Sequence, residues 1–211
     1  MKALISTLAI VSACIPAAAL AQDGYDDEDT YVAPAKAKAG LRFEGRVFYE
    51  RIDDPVEEAL IVYEFGSGVG AGVETGVDIA VSDKLVVGPY FTYDFSSLET
   101  CEDGLCFAAP EYWATGVHIG LTTGRTGLLY GKLGYGEQKV TLQGTFDDPD
   151  FGLVTLDEEE IGSGFNFAIG YEHGLGDTLY VRGEVGASES NDIYGFDLQR
   201  GTIALAIGAR F

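Results

Sequence analysis

The 211-residue chain carries 13 Lys or Arg against 34 Asp or Glu, a formal charge of -21 at pH 7. That balance excludes nucleic acid as a partner, because phosphate binding draws on clustered cations that release counterions. With 12 Tyr, 12 Phe and 29 Gly but only 6 Pro, the chain is too aromatic for an acidic disordered protein. It is also too rich in glycine for a helical one, each helix-interior Gly costing about 1 kcal/mol relative to Ala.

Met1-Lys2, the apolar run Ala3 to Val11 and the small residues of Ala19-Leu20-Ala21 before Gln22 form a secretory signal peptide over residues 1–21. Ser6, Thr7, Ser12 and Pro16 interrupt the run, which argues against a membrane-spanning helix. Cys14 leaves with the signal, so Cys101 and Cys106 remain in an oxidising compartment. A tight loop over Cys-Glu-Asp-Gly-Leu-Cys can bring their Cα atoms to about 5.5 Å, as a disulfide requires. Residues 22–39 have no strand period and start with the acids Asp23, Asp26, Asp27, Glu28 and Asp29. They read as a flexible acidic periplasmic arm.

From Gly40 to Phe211 apolar residues alternate with polar ones or glycine, which places the two kinds on opposite faces of a strand. Leu41, Phe43, Val47 and Tyr49 oppose Arg42, Glu44, Arg46 and Glu50; Phe65, Val69, Val73, Val77 and Ile79 oppose Glu74, Asp78 and a glycine series. Six more runs follow, around Leu85–Phe95, Trp113–Leu121, Leu129–Tyr135, Phe165–Tyr171, Leu179–Ala187 and Ile203–Phe211. Runs of about 10 to 14 residues suit the roughly 9 to 11 of a tilted bilayer crossing, and charge facing lipid would cost about 2–4 kcal/mol, so the polar face turns inward. The expected fold class is all-β: an eight-stranded antiparallel up-and-down transmembrane barrel over residues 40–211.

Short connections at Val81–Lys84, Thr122–Thr126 and His173–Asp177 read as periplasmic turns. Long ones at Ile52–Tyr63, Ser96–Pro110, around Asp147-Asp148-Pro149-Asp150, and at Ser188–Asp197 read as extracellular loops. Between Lys139 and Leu156 the alternation changes phase, which suggests a projecting hairpin with a bulge.

These residues resemble the small eight-stranded outer-membrane barrels, the OmpA transmembrane domain and the opacity-protein-like adhesins. The most specific element is the terminal strand, where Ile203, Leu205, Ile207, Ala209 and Phe211 alternate towards a final aromatic. The resemblance implies a Gram-negative outer-membrane location and a C-terminal strand presented to the barrel-assembly machinery.

The inward phase holds Arg42, Arg46, Lys132, Arg182, Arg200 and Arg210 with Glu44, Glu74, Asp78, Glu172 and Glu184. An eight-stranded barrel is only wide enough for side chains, so these groups should plug it as an ion-pair lattice. A narrow ion path is the alternative. Tyr49, Tyr93, Trp113 and Tyr135 would form an outer aromatic girdle, and Phe43, Tyr171 and Phe211 an inner one. Loop carboxylates, among them Asp53, Glu99 and Asp157 to Glu160, suit solvation or loose divalent-cation bridging to lipopolysaccharide. No cofactor is expected. Serine chemistry needs His beside Ser and an acid on the lipid side, but His118 lies on the inward phase and His173 at a turn with no Ser within three residues. The reading is therefore a non-enzymatic protein of envelope integrity and surface contact. Its rival from another class is a lipocalin-like soluble carrier, which would keep its apolar residues inside.

Overall fold

The computed structural model describes residues 34–56, 61–102, 104–148 and 152–211. The signal peptide, residues 22–33 of the arm, and Glu57, Glu58, Asp103, Pro149 and Asp150 lie outside the described residues.

A short 3-10 turn, Ala35–Lys38, precedes the strands β1 (Gly40–Val56), β2 (Ile61–Ala80), β3 (Leu85–Ser96), β4 (Glu99–Glu102), β5 (Leu105–Thr123), β6 (Gly127–Asp148), β7 (Gly152–Gly174), β8 (Leu179–Ile193) and β9 (Phe196–Arg210). Every pairing is antiparallel, β1 joins β9, and β3 pairs with β5 as well as β2. The ring therefore closes on eight staves, with β4 outside it as a small hairpin against the start of β5. Closure leaves no open edge around the wall, as lipid requires of a spanning sheet. Three tight turns, at 81–84, 124–126 and 175–178, share one end with the Leu41–Phe211 backbone pair. We call this the turn end and the opposite one the loop end.

Side-chain period two decides which way each residue looks. Leu133, Leu205 and Val47 stand on the outer surface at 65%, 67% and 60% exposure, whereas Arg42 between Leu41 and Phe43 is fully buried. An apolar outside and an ionic inside exclude a lipocalin-type interior.

Four expectations need correction. The long connections are largely strand: β5 begins within the segment read as the loop Ser96–Pro110, and β8 and β9 run through most of Ser188–Asp197. The β6–β7 hairpin has no bulge, its register running unbroken from Gly127↔His173 to Asp148↔Gly152. Instead, register shifts fall at Ile52/Asp53, Ala108/Glu111 and Ser190/Ile193. The first of these displaces Phe65 from the outer face, and its ring packs 5.0 Å from that of Phe107 against an inner apolar cluster. Lastly, residues 34–39 are not a free arm but a turn packed on β2, β3 and β5.

Candidate functional site

The lumen of the ring holds the charged residues that the inward phase predicts, and it brings them into contact. Glu74 on β2 is the hub: it accepts hydrogen bonds from Arg42 Nη1 at 2.6 Å and Lys132 Nζ at 2.5 Å, and Arg182 lies at 3.4 Å. Arg42 also donates to Glu44 at 2.5 Å, and Arg182 links Glu44 at 2.6 Å to Glu172 at 3.0 Å. Towards the turn end, Arg210 bridges Glu172 at 2.8 Å and Asp78 at 2.9 Å. Towards the loop end, Lys132 bonds Glu184, Arg46 lies between Glu184 at 3.4 Å and Asp94 at 3.5 Å, and Arg200 bonds Glu50 and, at 3.1 Å, Asp94. Each ion thus faces opposite charge, the condition under which burial of charge is tolerable.

Three members escape the sequence reading. Glu50 and Asp94 stand on the inward phase, but nothing in the sequence names Arg200 as their common partner. Lys38 precedes the rhythm altogether, yet its Nζ donates to Glu172 at 3.1 Å and to the Thr126 carbonyl at 2.7 Å. With these included, the buried groups among the described residues are seven cations and seven carboxylates. The lumen is neutral inside a strongly anionic chain.

Tyrosines fill the space between the ions. Arg182 lies 4.2 Å over the Tyr130 ring and Arg200 4.3 Å over Tyr112, stacking that suits a desolvated guanidinium. Glycine on the facing strand makes the room. A Cβ at Gly170 would meet Tyr130 Oη at 2.3 Å, and one at Gly208 would meet the Tyr180 ring at 2.4 Å. These two inward glycines are therefore sockets for aromatic rings. His118 is fully buried, with Nδ1 3.1 Å from Asp78, which makes it part of the lattice. His173 sits at the turn end, with Nδ1 3.4 Å from Thr126 Oγ1.

A buried apolar cluster lies towards each end of the lumen. At the loop end Ile52, Leu98, Phe107, Ala109, Val140, Ile193 and Leu198 form one buried cluster. At the turn end Ala35, Val86 and Leu128 form another, with Ala80 against it. Between them a cavity of about 40 Å³ touches Arg46, Glu74, Lys132 and Glu184. It has room for a water molecule.

No protein-family model matches the chain, and no curated protein matches it in sequence. Among solved structures, Ail, the attachment invasion locus protein of Yersinia pestis, is similar over 82% of this chain and 99% of its own, with a TM-score of 0.52 at 14% identity. A second structure of Ail, in complex with the heparin analogue sucrose octasulfate, gives 0.53 at 16% identity over the same shares. Neisserial surface protein A, NspA, is similar over 82% of this chain and 98% of its own, with a TM-score of 0.58 at 9% identity. This chain has the fold of the small outer-membrane β-barrels.

The barrel's outer surface carries two bands of aromatics. Near the loop end Tyr93 and Trp113 face each other across β3 and β5, with Tyr49 and Tyr135 on other staves. Their polar tips reach for polar groups: Tyr93 donates to Glu111 at 3.1 Å, Trp113 Nε1 to Glu137 at 3.1 Å, and Tyr135 Oη meets Ser163 Oγ at 2.8 Å. Phe43 and Tyr171 are exposed on β1 and β7, and Phe211 is exposed beside the end of β9. Ile203, Leu205, Ile207 and Ala209 line the outward face of β9, which pairs with β1 over residues 199–210 and with β8 over residues 198–209.

Above the aromatic band the barrel's strands continue as an acidic extension. Asp157, Glu158 and Glu159 are exposed on β7, and Glu159 pairs with Lys139 at 2.7 Å, a hydrogen bond that raises the Lys139 ammonium. Cys101 and Cys106 are directly opposite one another on β4 and β5 and are joined by a disulfide, which leaves neither sulfur free as a metal ligand.

Proposed function

We propose that this protein resides in the outer membrane of a Gram-negative bacterium as a non-enzymatic barrel. Its turn end faces the periplasm, and its acidic extension stands outside the cell. It contributes to envelope integrity and makes surface contact through the loop end. The observation that carries this reading is the reversal of polarity across the wall: aliphatic side chains on the outside, and a neutral ion-pair lattice closed by apolar clusters on the inside. A wall of that kind is stable only with hydrocarbon around it. The outer aromatic band then lies at the membrane–water boundary, where rings with one polar tip are at home. The β9 strand, followed by Phe211, serves as the segment read by the assembly machinery.

The extension argues for the character of what it meets. Ail was crystallised with a heparin analogue, but the exposed carboxylates of β7 repel a polyanion. Cationic partners suit this chain better, or lipopolysaccharide bridged by divalent cations. The expected result is that the mature protein fractionates with the outer membrane, partitions into detergent and migrates faster on gels before heating than after. A detergent-free monomer in the soluble fraction overturns the proposal.

A second reading, a narrow ion path, is favoured by one observation: the chain of ion pairs from Lys38 to Glu50 and the water-sized cavity within it. Steady conductance of the purified barrel in a planar bilayer would support that path. Its absence leaves the sealed barrel.

A further inference from the structure

The turn Ala35–Lys38 is the one described segment before the barrel, and it is seated in the mouth of the barrel rather than beside it. Three contacts hold it. The Ala35 amide donates to the Asp83 carbonyl in the β2–β3 turn at 2.7 Å. The Ala35 side chain is fully buried against Val86 and Leu128. Lys38 extends inward to Glu172 and to the carbonyl of Thr126 in the β5–β6 turn. The turn thus bridges two of the three turn-end connections and reaches β7 through Glu172. The third connection, residues 175–178, borders a cavity of about 410 Å³ whose other walls include Ala37, Lys38, Tyr180 and Arg210.

Charge adds an independent argument. Without Lys38, six buried cations would face the seven buried carboxylates of the described residues. Among the described residues, Lys38 is the only member of the lattice that comes from outside the staves.

We infer that residues 34–39 are a tethered stopper: Ala35 plugs the turn-end mouth, and Lys38 supplies the seventh lumen cation from outside the wall. Docked, it leaves a closed and neutral lumen. Withdrawn, it uncovers Val86 and Glu172 and leaves one carboxylate in excess, so that small cations enter ahead of small anions. The stopper depends on the barrel geometry and not on what the loop end contacts.

The test uses the full mature chain folded in detergent, with Val86→Cys as a reporter thiol below Ala35 and the Cys101–Cys106 disulfide intact. Cationic and anionic methanethiosulfonates of similar size are the probes. With the stopper unaltered, both react slowly. In the Lys38→Met background, which keeps the side-chain stem, the cationic reagent is expected to react about tenfold faster, and faster than the anionic one, as local opening equilibria of this size permit. Equal rates in the two backgrounds overturn the stopper, and acceleration without charge preference overturns the counter-ion role of Lys38. Heat-modifiable migration identifies any variant that has not folded. The unsubstituted protein supplies a measurement free of that risk: trypsin is expected to cleave after Lys36 about tenfold more slowly in the folded than in the boiled protein. Equal cleavage overturns the proposal.

Discussion

The belt of the barrel and its loop-end extension are built from the same staves, yet they have opposite polarity. In the belt, Arg42, Glu74 and Arg182 face inward while Leu133 and Leu205 face outward. In the extension, Ile52, Val140 and Leu198 face inward while Asp157 and Glu159 face outward. On β6 and β7 the change happens without any shift of register, so the inward set of positions stays the same and only its chemistry changes. A sheet facing lipid must put its apolar groups outside, whereas a sheet facing water must put them inside. The apparent phase change between Lys139 and Leu156 is therefore the signature of the surrounding solvent and not of the backbone.

Four substitutions would break or sharpen this contrast. The largest effect is expected from Glu74→Leu, which leaves Arg42, Lys132 and Arg182 short of their shared carboxylate. Breaking a buried pair costs about 3–5 kcal/mol, read as a lower denaturant midpoint of the barrel in lipid vesicles. An unchanged midpoint would mean the lattice is not what fills the lumen. Next is Leu205→Arg on the outer face of β9. A lipid-facing charge costs about 2–4 kcal/mol near the midplane, and the same midpoint should fall accordingly.

Ile193→Val, in the loop-end cluster, is expected to cost about 0.5–1.5 kcal/mol. Hydrogen exchange should quicken at the amides of β8 and β9 near their tip and stay unchanged at the turn end. Uniform quickening would mean that extension and belt open as one unit. The smallest effect belongs to Leu153→Arg. Leu153 has the same outward parity as the lipid-facing residues of β7 but is 76% exposed near the hairpin tip. In water this change should stay within about 0.5 kcal/mol. A cost as large as that of Leu205→Arg would place the tip in lipid and erase the boundary between the two regions.

Legibility follows the same division. In the belt the wall is one residue thick, so alternation maps directly onto inside and outside. For that reason Arg42, Glu44 and Arg182 could be placed in the lumen and Tyr135 on its surface from the sequence. Above the belt the map fails. The Ile52/Asp53 shift turns Phe65 inward, and strand segments lacking the lipid-facing rhythm at Leu105–Ala108 and Ser188–Ile193 read as loops. Which cation meets which carboxylate was not legible anywhere. Arg42 and Glu74 are paired across β1 and β2, but Arg200 and Asp94 are 106 residues apart on staves that are not adjacent.

The sequence by itself determined that the chain is an eight-staved barrel with ions within and aliphatic groups without, because a period of two next to lipid admits one arrangement. Only the tertiary structure decided that Lys38 completes the lattice, that apolar clusters close both ends, and that the extension reverses the belt's polarity. Those features depend on distances across the lumen and on where the bilayer stops, and neither is written in the order of residues along a strand.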